Sequence, residues 1–285
     1  MAGSNTFFQG RYAVLLTKHR KEQVIKPTLE KAVGVNVIVE TGFDTDRLGT
    51  FTREIERPGS QLDTARLKAR KGMELTGLDI GLASEGSFGS HPVMLWVPWN
   101  VEIVLLLDKK ANLEIYGEYA GFNTNYAHEI VSSFTEAENF ARKVGFPEHW
   151  LVLRPDNERH QSIVKDINDW EHLKEAVAWG VARSIAGKVF LETDMRAHAN
   201  PTRMGNIQKA TENLVEKINR QCPRCGTPGF SVTKTKKGLP CEWCGGPTEE
   251  IMAVVFTCAR CAFSQEEVKG PEERAPAGRC PYCNP

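Results

Sequence analysis

Short apolar runs alternate with amphipathic stretches along the first 219 residues. In the amphipathic stretches the apolar positions recur at helical spacing, as Leu62, Ala65, Ala69 and Met73 do on one stripe. The predicted helices cover residues 22–32, 62–75, 135–144, 170–185 and 203–219. The predicted strands cover residues 11–17, 35–40, 79–83, 101–107, 113–119, 150–153 and 188–192. Alternating strands and helices, with a hairpin at 108–112, predict an α/β fold with a mixed β-sheet and flanking helices.

The pattern changes after residue 220, where three strand-like stretches, 230–236, 250–257 and 262–268, lie among cysteines. No cysteine precedes Cys222, and all eight follow that point. We therefore expect two domains: an α/β domain over residues 1–220 and a β-rich double zinc ribbon over residues 221–285.

Composition excludes some classes of protein. With 41% hydrophobic and 25% charged residues, the chain can bury an ordinary core. The 36 basic and 36 acidic side chains cancel, which argues against a dedicated nucleic-acid coat. No apolar run approaches the roughly 20 residues that a membrane span needs, and the N-terminus does not resemble an export signal. We expect a cytoplasmic protein without membrane contact, whose thiols stay reduced.

The cysteines form four units in which two residues separate two cysteines, the spacing at which both thiolates of one turn reach the same ion. Two such turns complete a tetrahedral site, so four units predict two structural Zn²⁺ ions. The predicted ligands are Cys222, Cys225, Cys241, Cys244, Cys258, Cys261, Cys280 and Cys283. A shell of four cysteines has no open position for a substrate.

Two pairings of these units are open. Neighbouring units along the chain could share an ion, or the pairing could be interleaved. The turn at Cys258 and Cys261 sends the third strand back beside the second, which would bring that turn next to Cys222. This strand geometry favours the interleaved pairing, with Cys241 and Cys280 at the opposite end of the ribbon.

The role of the ribbon is also open. Its four Lys, four Arg and seven Glu give a formal charge of +1, which becomes −3 once eight thiolates and two zinc ions are counted. A surface of that charge contacts phosphates weakly. A structural cap or a protein-contact surface is therefore favoured over a nucleic-acid contact.

A basic segment follows the first predicted strand, where a helix begins. It contains Thr17, Lys18, His19, Arg20 and Lys21. Helix N-termini bind anions through free N–H groups and the helix dipole, and α/β sheets bind ligands at the carboxyl ends of their strands. The segment predicts a phosphate-binding loop, against the alternative of a solvated helix start.

Two further segments add candidate chemistry. The helix that carries Lys68 precedes a strand that is predicted to end at Ser84 and Glu85, before a glycine-rich turn. A carboxylate at that point could hold Mg²⁺, or could simply be exposed in a tight loop. The segment 192–203, after the strand 188–192, places Arg196, His198 and Arg203 in one loop. We interpret these three as substrate-binding residues, against the alternative of a salt-bridged structural loop.

The stretch TARLKARKGMELTGLDIGLASEGSFG resembles the inosine/xanthosine triphosphate pyrophosphatase superfamily. The resemblance extends to Thr17, with His19 at the loop position usually held by asparagine, and to Pro201-Thr202-Arg203 at a helix start. It implies a Mg²⁺-dependent, nucleotide-directed phosphohydrolase. The whole chain, with its terminal CxxCNP, also resembles an uncharacterised bacterial family with a zinc ribbon, which implies no activity.

Two hypotheses for function result. In the first, the chain is a nucleotide-directed phosphohydrolase with Glu85, Lys21 and His19 as catalytic residues. Its substrate would be bound by Thr17, Lys18, Arg20, Lys68, Arg196, His198 and Arg203. In the second, the chain is a non-enzymatic module that recognises a phosphorylated ligand, and its ribbon contacts a protein or, less favourably, a nucleic acid. Glu85 discriminates between them, because catalysis needs a metal-holding carboxylate near the basic loop. The first hypothesis therefore predicts that Lys21 and Glu85 lie across one cleft, at the carboxyl ends of two parallel strands.

Overall fold

The computed structural model describes residues 7–45 and 58–284. The first six residues, on which the expectation of no export signal partly rests, lie outside this part. Within the described ranges the strands form a five-stranded sheet, a four-stranded sheet and a three-stranded ribbon. None of the helices described has both the length and the apolar character needed to span a bilayer.

The five-stranded sheet is mixed. Its strands, in spatial order, are β2 (Asn36–Glu40), β1 (Tyr12–Leu16), β3 (Ile80–Ser90), β4 (Pro98–Asp108) and β5 (Leu113–Gly121). β1 runs parallel to β2 and to β3, whereas β3, β4 and β5 follow one another antiparallel. The predicted hairpin and the parallel arrangement of the first and third strands are therefore confirmed. Because β1 and β3 are parallel, their carboxyl ends lie at the same edge of the sheet.

Helices cover both faces of this sheet. α1 (Glu22–Val33) and α5 (Pro201–Asn219) share one buried core with strand residues such as Leu82 and Val104. α2 (Gln61–Thr76) packs on the other face through Ala65 and Ala69. A strand residue's position therefore decides which helices its side chain meets, because successive side chains point to opposite faces.

Local sequence explains where these helices begin and end. α2 starts at a capping box, in which Ser60 accepts from the backbone of Asp63 and Asp63 accepts in return. α1 and α2 end at Gly34 and Gly77, whose φ angles of 75° and 71° suit glycine. α5 begins with Asn200 as its cap, followed by Pro201 in the first turn.

The four-stranded sheet is antiparallel and has its own core. Its strands, in spatial order, are β6 (His128–Val131), β9 (Val189–Thr193), β7 (Leu151–Pro155) and β8 (Val164–Ile167). α3 (Phe134–Lys143) and α4 (Trp170–Arg183) share a buried cluster with Leu151, Leu153 and Leu191. β6 and β8 were not predicted, because four-residue strands with two polar residues each give little periodic signal.

The C-terminal ribbon consists of β10 (Ser231–Lys237), β11 (Ile251–Thr257) and β12 (Ser264–Val268), all antiparallel. It meets the rest of the chain at the end of α5, where Gly229 and Phe230 donate to the carbonyls of Lys217 and Arg220. The mixed α/β architecture with a C-terminal β-rich region is thus as the sequence predicted.

The glycine-rich turn predicted after Glu85 is wrong. β3 continues to Ser90, and each residue from Glu85 onward pairs with one of β4, up to Ser90 with Pro98. The antiparallel partner supplies the backbone hydrogen bonds that a turn would have needed. Gly86 has a packing role, since a Cβ there would lie 2.5 Å from Nη2 of Arg203 and 2.5 Å from Oε1 of Glu102. Glu85 therefore lies in the middle of a strand.

Candidate metal centres and anion-binding cleft

The eight cysteines form two groups of four. Cys222, Cys225, Cys258 and Cys261 make one group, and Cys241, Cys244, Cys280 and Cys283 make the other. In each group the sulfur atoms all lie within 4.8 Å of one another. The interleaved pairing is confirmed: the first and third units meet at one end of the ribbon, and the second and fourth at the other.

The spacing of the sulfurs suits a tetrahedral metal site. The Sγ–Sγ distance is 3.7 Å between Cys222 and Cys261 and 3.6 Å between Cys244 and Cys280. A regular tetrahedron of thiolates at about 2.3 Å from an ion has edges of about 3.8 Å. All eight cysteines are free, and these distances are far longer than a disulfide bond of about 2.05 Å. The two groups can therefore each hold one metal ion.

Each unit is shaped by a backbone turn. The N–H groups of Gly226, Gly245 and Ala262 donate to the carbonyls of Cys222, Cys241 and Cys258. All three donors have positive φ, at 70°, 71° and 56°. Glycine adopts that conformation without steric cost, which explains its presence after two of the units. The turns fix both thiolates of a unit on the same side.

The loop between β1 and α1 has the backbone of an anion-binding nest. φ is 69° at His19 and 60° at Arg20, both left-handed, and Lys21 returns to the right-handed helical region. A left-handed residue followed by a right-handed one turns successive N–H groups toward one side. The nest directly precedes a 12-residue helix, whose dipole adds partial positive charge at this end. The N–H groups of Gln23, Val24 and Ile25 already donate to the carbonyls of Arg20 and Lys21.

Lys21 lies at this helix start with its amine buried. The residue is 8% exposed, and its Nζ donates a 2.8 Å hydrogen bond to the carbonyl oxygen of Ser84. Burial lowers the pKa of Lys21 from 10.5 to about 7, and the positive charge of Arg203 acts in the same direction. Lys68 lowers this pKa further, whereas Glu85 and Glu102 oppose the shift. Five charged groups therefore interact across one site.

These five residues, Lys21, Lys68, Glu85, Glu102 and Arg203, are all buried, and we refer to them as the charge cluster. Lys68 on α2 is in direct contact with Glu85 on β3. Arg203 on α5 donates from Nε to Oε1 of Glu102 on β4 at 2.9 Å. Two cations thus contact two carboxylates, and Lys21 is the third cation of the cluster. With Lys21 protonated, the cluster carries a net positive charge.

Arg203 joins the two sheets. Its Nη1 donates to the carbonyl oxygen of Met195, which follows β9 of the four-stranded sheet. Its guanidinium also lies 5.0 Å from the ring centroid of Phe88 on β3. Asn200, the cap of α5, accepts a 2.9 Å hydrogen bond from the backbone N–H of Arg203. The cap and the carbonyl fix the guanidinium against Glu102, so the charge cluster lies where the two sheets meet.

Two histidines extend the site toward the surface. The rings of His19 and His198 are stacked with centroids 5.0 Å apart, and the ring of Trp150 meets His198 edge-on at 5.4 Å. Burial, and then the charge of Arg196, lower the pKa of His198. The contact joins the basic loop after β1 to the segment after β9. We call the region formed by the nest, the charge cluster and this histidine pair the cleft.

A family model described as a domain of unknown function (DUF6671) matches residues 68–285, well over half of the chain. The chain belongs to the DUF6671 family. The matched span begins inside α2 at Lys68 and includes both cysteine groups, whereas β1, α1 and β2 precede it. No curated protein matches the chain. The DUF6671 match carries no statement about an activity.

The structure brings together most of the residues that the sequence singled out in this DUF6671 chain. Thr17, His19 and Lys21 lie at the end of β1, and Lys68, Glu85, His198 and Arg203 surround them. Lys21 and Glu85 are close in space, because Lys21 bonds to the residue that precedes Glu85, but the side chain of Glu85 lies on the face that α2 covers, where it contacts Lys68. Topology is the reason: β1 and β3 are parallel neighbours.

Other predicted residues have different roles. The ammonium of Lys18 lies 2.9 Å from Asp44 in an exposed ion pair, away from the charge cluster. Arg196 binds Asp194 at 2.5 Å and Asp166 at 2.8 Å, so its guanidinium is held by two carboxylates. Arg20 has a left-handed backbone that shapes the nest. These contacts support the interpretation of Arg196 as part of a salt-bridged structural loop. Lys18 forms a surface ion pair.

Sequence reasoning missed several residues of the cleft. Glu102 is fully buried, and Asn206 on α5 donates a 2.8 Å hydrogen bond to Asn100 on β4. Trp150 contacts the ring of His198 edge-on. Glu102 carried a usable signal, since it is a single carboxylate inside the apolar run 101–107. A charged residue in a buried strand requires a partner, and here that partner is Arg203.

Proposed function

We propose that the cleft binds the phosphate groups of a small molecule, with a nucleoside triphosphate as the first class to test, and that the ribbon is a structural element that holds two Zn²⁺ ions. The observation that carries the first part is the excess of buried positive charge beside a helix N-terminus. Lys21, Lys68 and Arg203 meet two carboxylates, and the nest formed by His19, Arg20 and Lys21 opens on the same site.

An anion lowers the energy of this arrangement in two ways. It supplies acceptors for the N–H groups of the nest, and its negative charge is attracted to Arg203, Lys68 and the protonated form of Lys21. The positively charged form of Lys21 is disfavoured by Arg203 and Lys68 in the free protein. A bound phosphate offsets part of that repulsion, so the two cations Arg203 and Lys68 favour its binding beside Lys21.

The zinc assignment rests on ligand chemistry. Four thiolates in a tetrahedron are the ligand set of structural zinc sites, and reduced thiols of this spacing favour Zn²⁺ over hard cations. Because the shell has no open position, the ions would stabilise the ribbon and would take no part in the chemistry of the cleft.

Hydrolysis of the bound phosphate chain is the second candidate function. It is favoured by the position of Glu85, which is close enough to Lys21 to raise its pKa. In the Mg²⁺-dependent form of this hypothesis, Glu85 would bind the metal and Lys21 would bind a phosphate. The direct contact between Lys68 and Glu85 opposes it, because a metal ion would have to displace the ammonium of Lys68. Binding is therefore the better supported of the two.

Isothermal titration of the purified chain with inorganic phosphate and a panel of nucleoside triphosphates tests the binding proposal. Replacing Lys21 by Met removes a charge-assisted contact and is expected to weaken binding by about 1.5–3 kcal/mol, or about 10- to 150-fold. Lys31→Met is the matched control, since Lys31 is exposed in the last turn of the same helix. No binding by the wild type, or equal losses in the two variants, would overturn the proposal.

Phosphate release from the same nucleotides, with and without Mg²⁺, tests the second candidate. If Glu85 holds a metal, Glu85→Gln abolishes turnover and leaves most of the binding. Nucleotide binding without phosphate release, both with and without Mg²⁺, would reject the hydrolase hypothesis and would agree with the binding function.

A further inference from the structure

The amine of Lys21 has fewer partners than a buried ammonium group needs. An ammonium carries three N–H donors and no acceptor. Among the described residues, the carbonyl oxygen of Ser84 is the hydrogen-bond acceptor of this amine, and no carboxylate of that part of the chain makes an ion pair with it. Lys68, by contrast, contacts Glu85 directly. Burial with one acceptor, and two neighbouring cations that Glu85 and Glu102 offset only in part, favour the neutral amine, which keeps a free electron pair.

The residue that accepts this hydrogen bond also carries a buried hydroxyl group. Ser84 is 4% exposed, and its hydroxyl oxygen has no hydrogen-bond partner among the described residues. Ser84 alternates along β3 with Leu82, which packs in the core formed with α1, so the hydroxyl lies on the face of the sheet that α1 covers. Lys21 is at the start of that helix. A buried hydroxyl without a partner is available to donate to an oxygen atom of a ligand.

We propose that Lys21 is a nucleophilic amine that condenses with the carbonyl carbon of a phosphorylated aldehyde or ketone; this rests on the proposed phosphate-binding function and names the ligand class. The phosphate of such a compound would occupy the nest at the start of α1, and its carbonyl group would lie toward Nζ of Lys21. The neutral amine is the reactive form, and its population near neutral pH follows from the lowered pKa of Lys21.

The step balances without a further reactant. The electron pair of the amine adds to the carbonyl carbon, and a proton passes from nitrogen to the former carbonyl oxygen, which gives a carbinolamine. The hydroxyl of Ser84 would donate a hydrogen bond to that oxygen. The carbon–oxygen bond then breaks, the oxygen leaves as water with the second proton of the amine, and a carbon–nitrogen double bond remains between the ligand and Lys21. A proton from solution makes this imine positively charged.

Trapping with pyridoxal 5′-phosphate tests the proposal, since this probe carries an aldehyde and a phosphate. The intact chain is incubated with the probe near pH 7, the imine is reduced with borohydride, and the modified lysines are identified by peptide mass analysis. At pH 7 about half of the Lys21 amine is neutral, given its pKa of about 7, against about one in 2,500 for an ordinary exposed lysine. We expect adduct at Lys21 to exceed that at the exposed control Lys31 by at least about tenfold.

Three further labelling measurements test whether the reaction is specific to Lys21. Inorganic phosphate should slow labelling of Lys21, pyridoxal without its phosphate should label it more slowly, and Lys21→Met should lose the adduct. Labelling spread evenly over exposed lysines would overturn the proposal, and mapping on the wild type does not depend on how the variant folds. Phosphate binding without an adduct at Lys21 would reject imine formation but would agree with the proposed phosphate-binding function. An adduct at Lys21 that inorganic phosphate does not slow keeps the amine chemistry and rejects phosphate binding.

Discussion

Replacing Lys21 by Met keeps a side chain of similar length and removes the buried amine. The pH dependence of the free energy of unfolding, compared between the two proteins, therefore tests the charge cluster directly. Lys21 is 8% exposed, and burial together with Arg203 lowers its pKa from 10.5 to about 7. In the unfolded chain the amine is solvated and binds its proton with the ordinary affinity of a lysine. Between these two pKa values the unfolded state therefore holds more protons than the folded state, and stability rises with pH.

The size of the effect follows from the two pKa values. With 10.5 in the unfolded and about 7 in the folded state, burying the amine costs about 5 kcal/mol near pH 6 and about 2 kcal/mol near pH 9. The wild type should therefore gain about 3 kcal/mol relative to Lys21→Met over that range. Both proteins share the same ribbon, so the pH dependence of thiolate–metal binding cancels in the difference.

Urea unfolding of both proteins, followed by circular dichroism at several pH values from about 6 to 9, measures this difference. Lys31→Met serves as the control and should run parallel to the wild type, because Lys31 is exposed. A constant difference between wild type and Lys21→Met across the range would refute the reasoning. It would mean that the amine of Lys21 is solvated or has a counterion in the folded protein.

Three further outcomes are expected. Elemental analysis of the purified chain should find two zinc ions per molecule; a value near one, or iron, would reject the assignment. A variant with both Cys225 and Cys258 changed to Ser should keep one ion, because the two ligands belong to the same group; loss of both ions would contradict that pairing. Glu102→Gln should lower the free energy of unfolding by about 3–5 kcal/mol, because it leaves Arg203 buried without its counterion. The matched change Glu114→Gln, at a partly exposed pair, should cost less than about 1 kcal/mol, and equal losses would show that Glu102 is not a buried partner.

The hydrophobic periodicity and the cysteine spacing were sufficient to predict the helices of this protein and the cysteines that form its two groups. Helical stripes fixed α1 to α5 within a few residues, because each buries one apolar face against a sheet. The two-residue spacing within the cysteine units predicted that the cysteines would meet in groups of four. The sequence left the pairing of the units open and favoured the interleaved one, because the turn between β11 and β12 lies at the end of the ribbon where β10 begins.

Only the tertiary structure decided what the charged residues do. The residues of the pair Glu102–Arg203 are 101 positions apart, and Lys21 and Ser84 are 63 apart, so no local pattern links them. The division of the strands between two sheets was also invisible, because a buried strand has the same apolar pattern in either sheet. From the sequence, Glu85 was interpreted as a metal ligand at the end of a strand. The pairing of β3 with β4 shows that Glu85 lies in the middle of the strand, where it contacts Lys68. Charge partners are chosen by long-range packing, because the free energy of a buried charge depends on which groups the fold brings within a few ångströms.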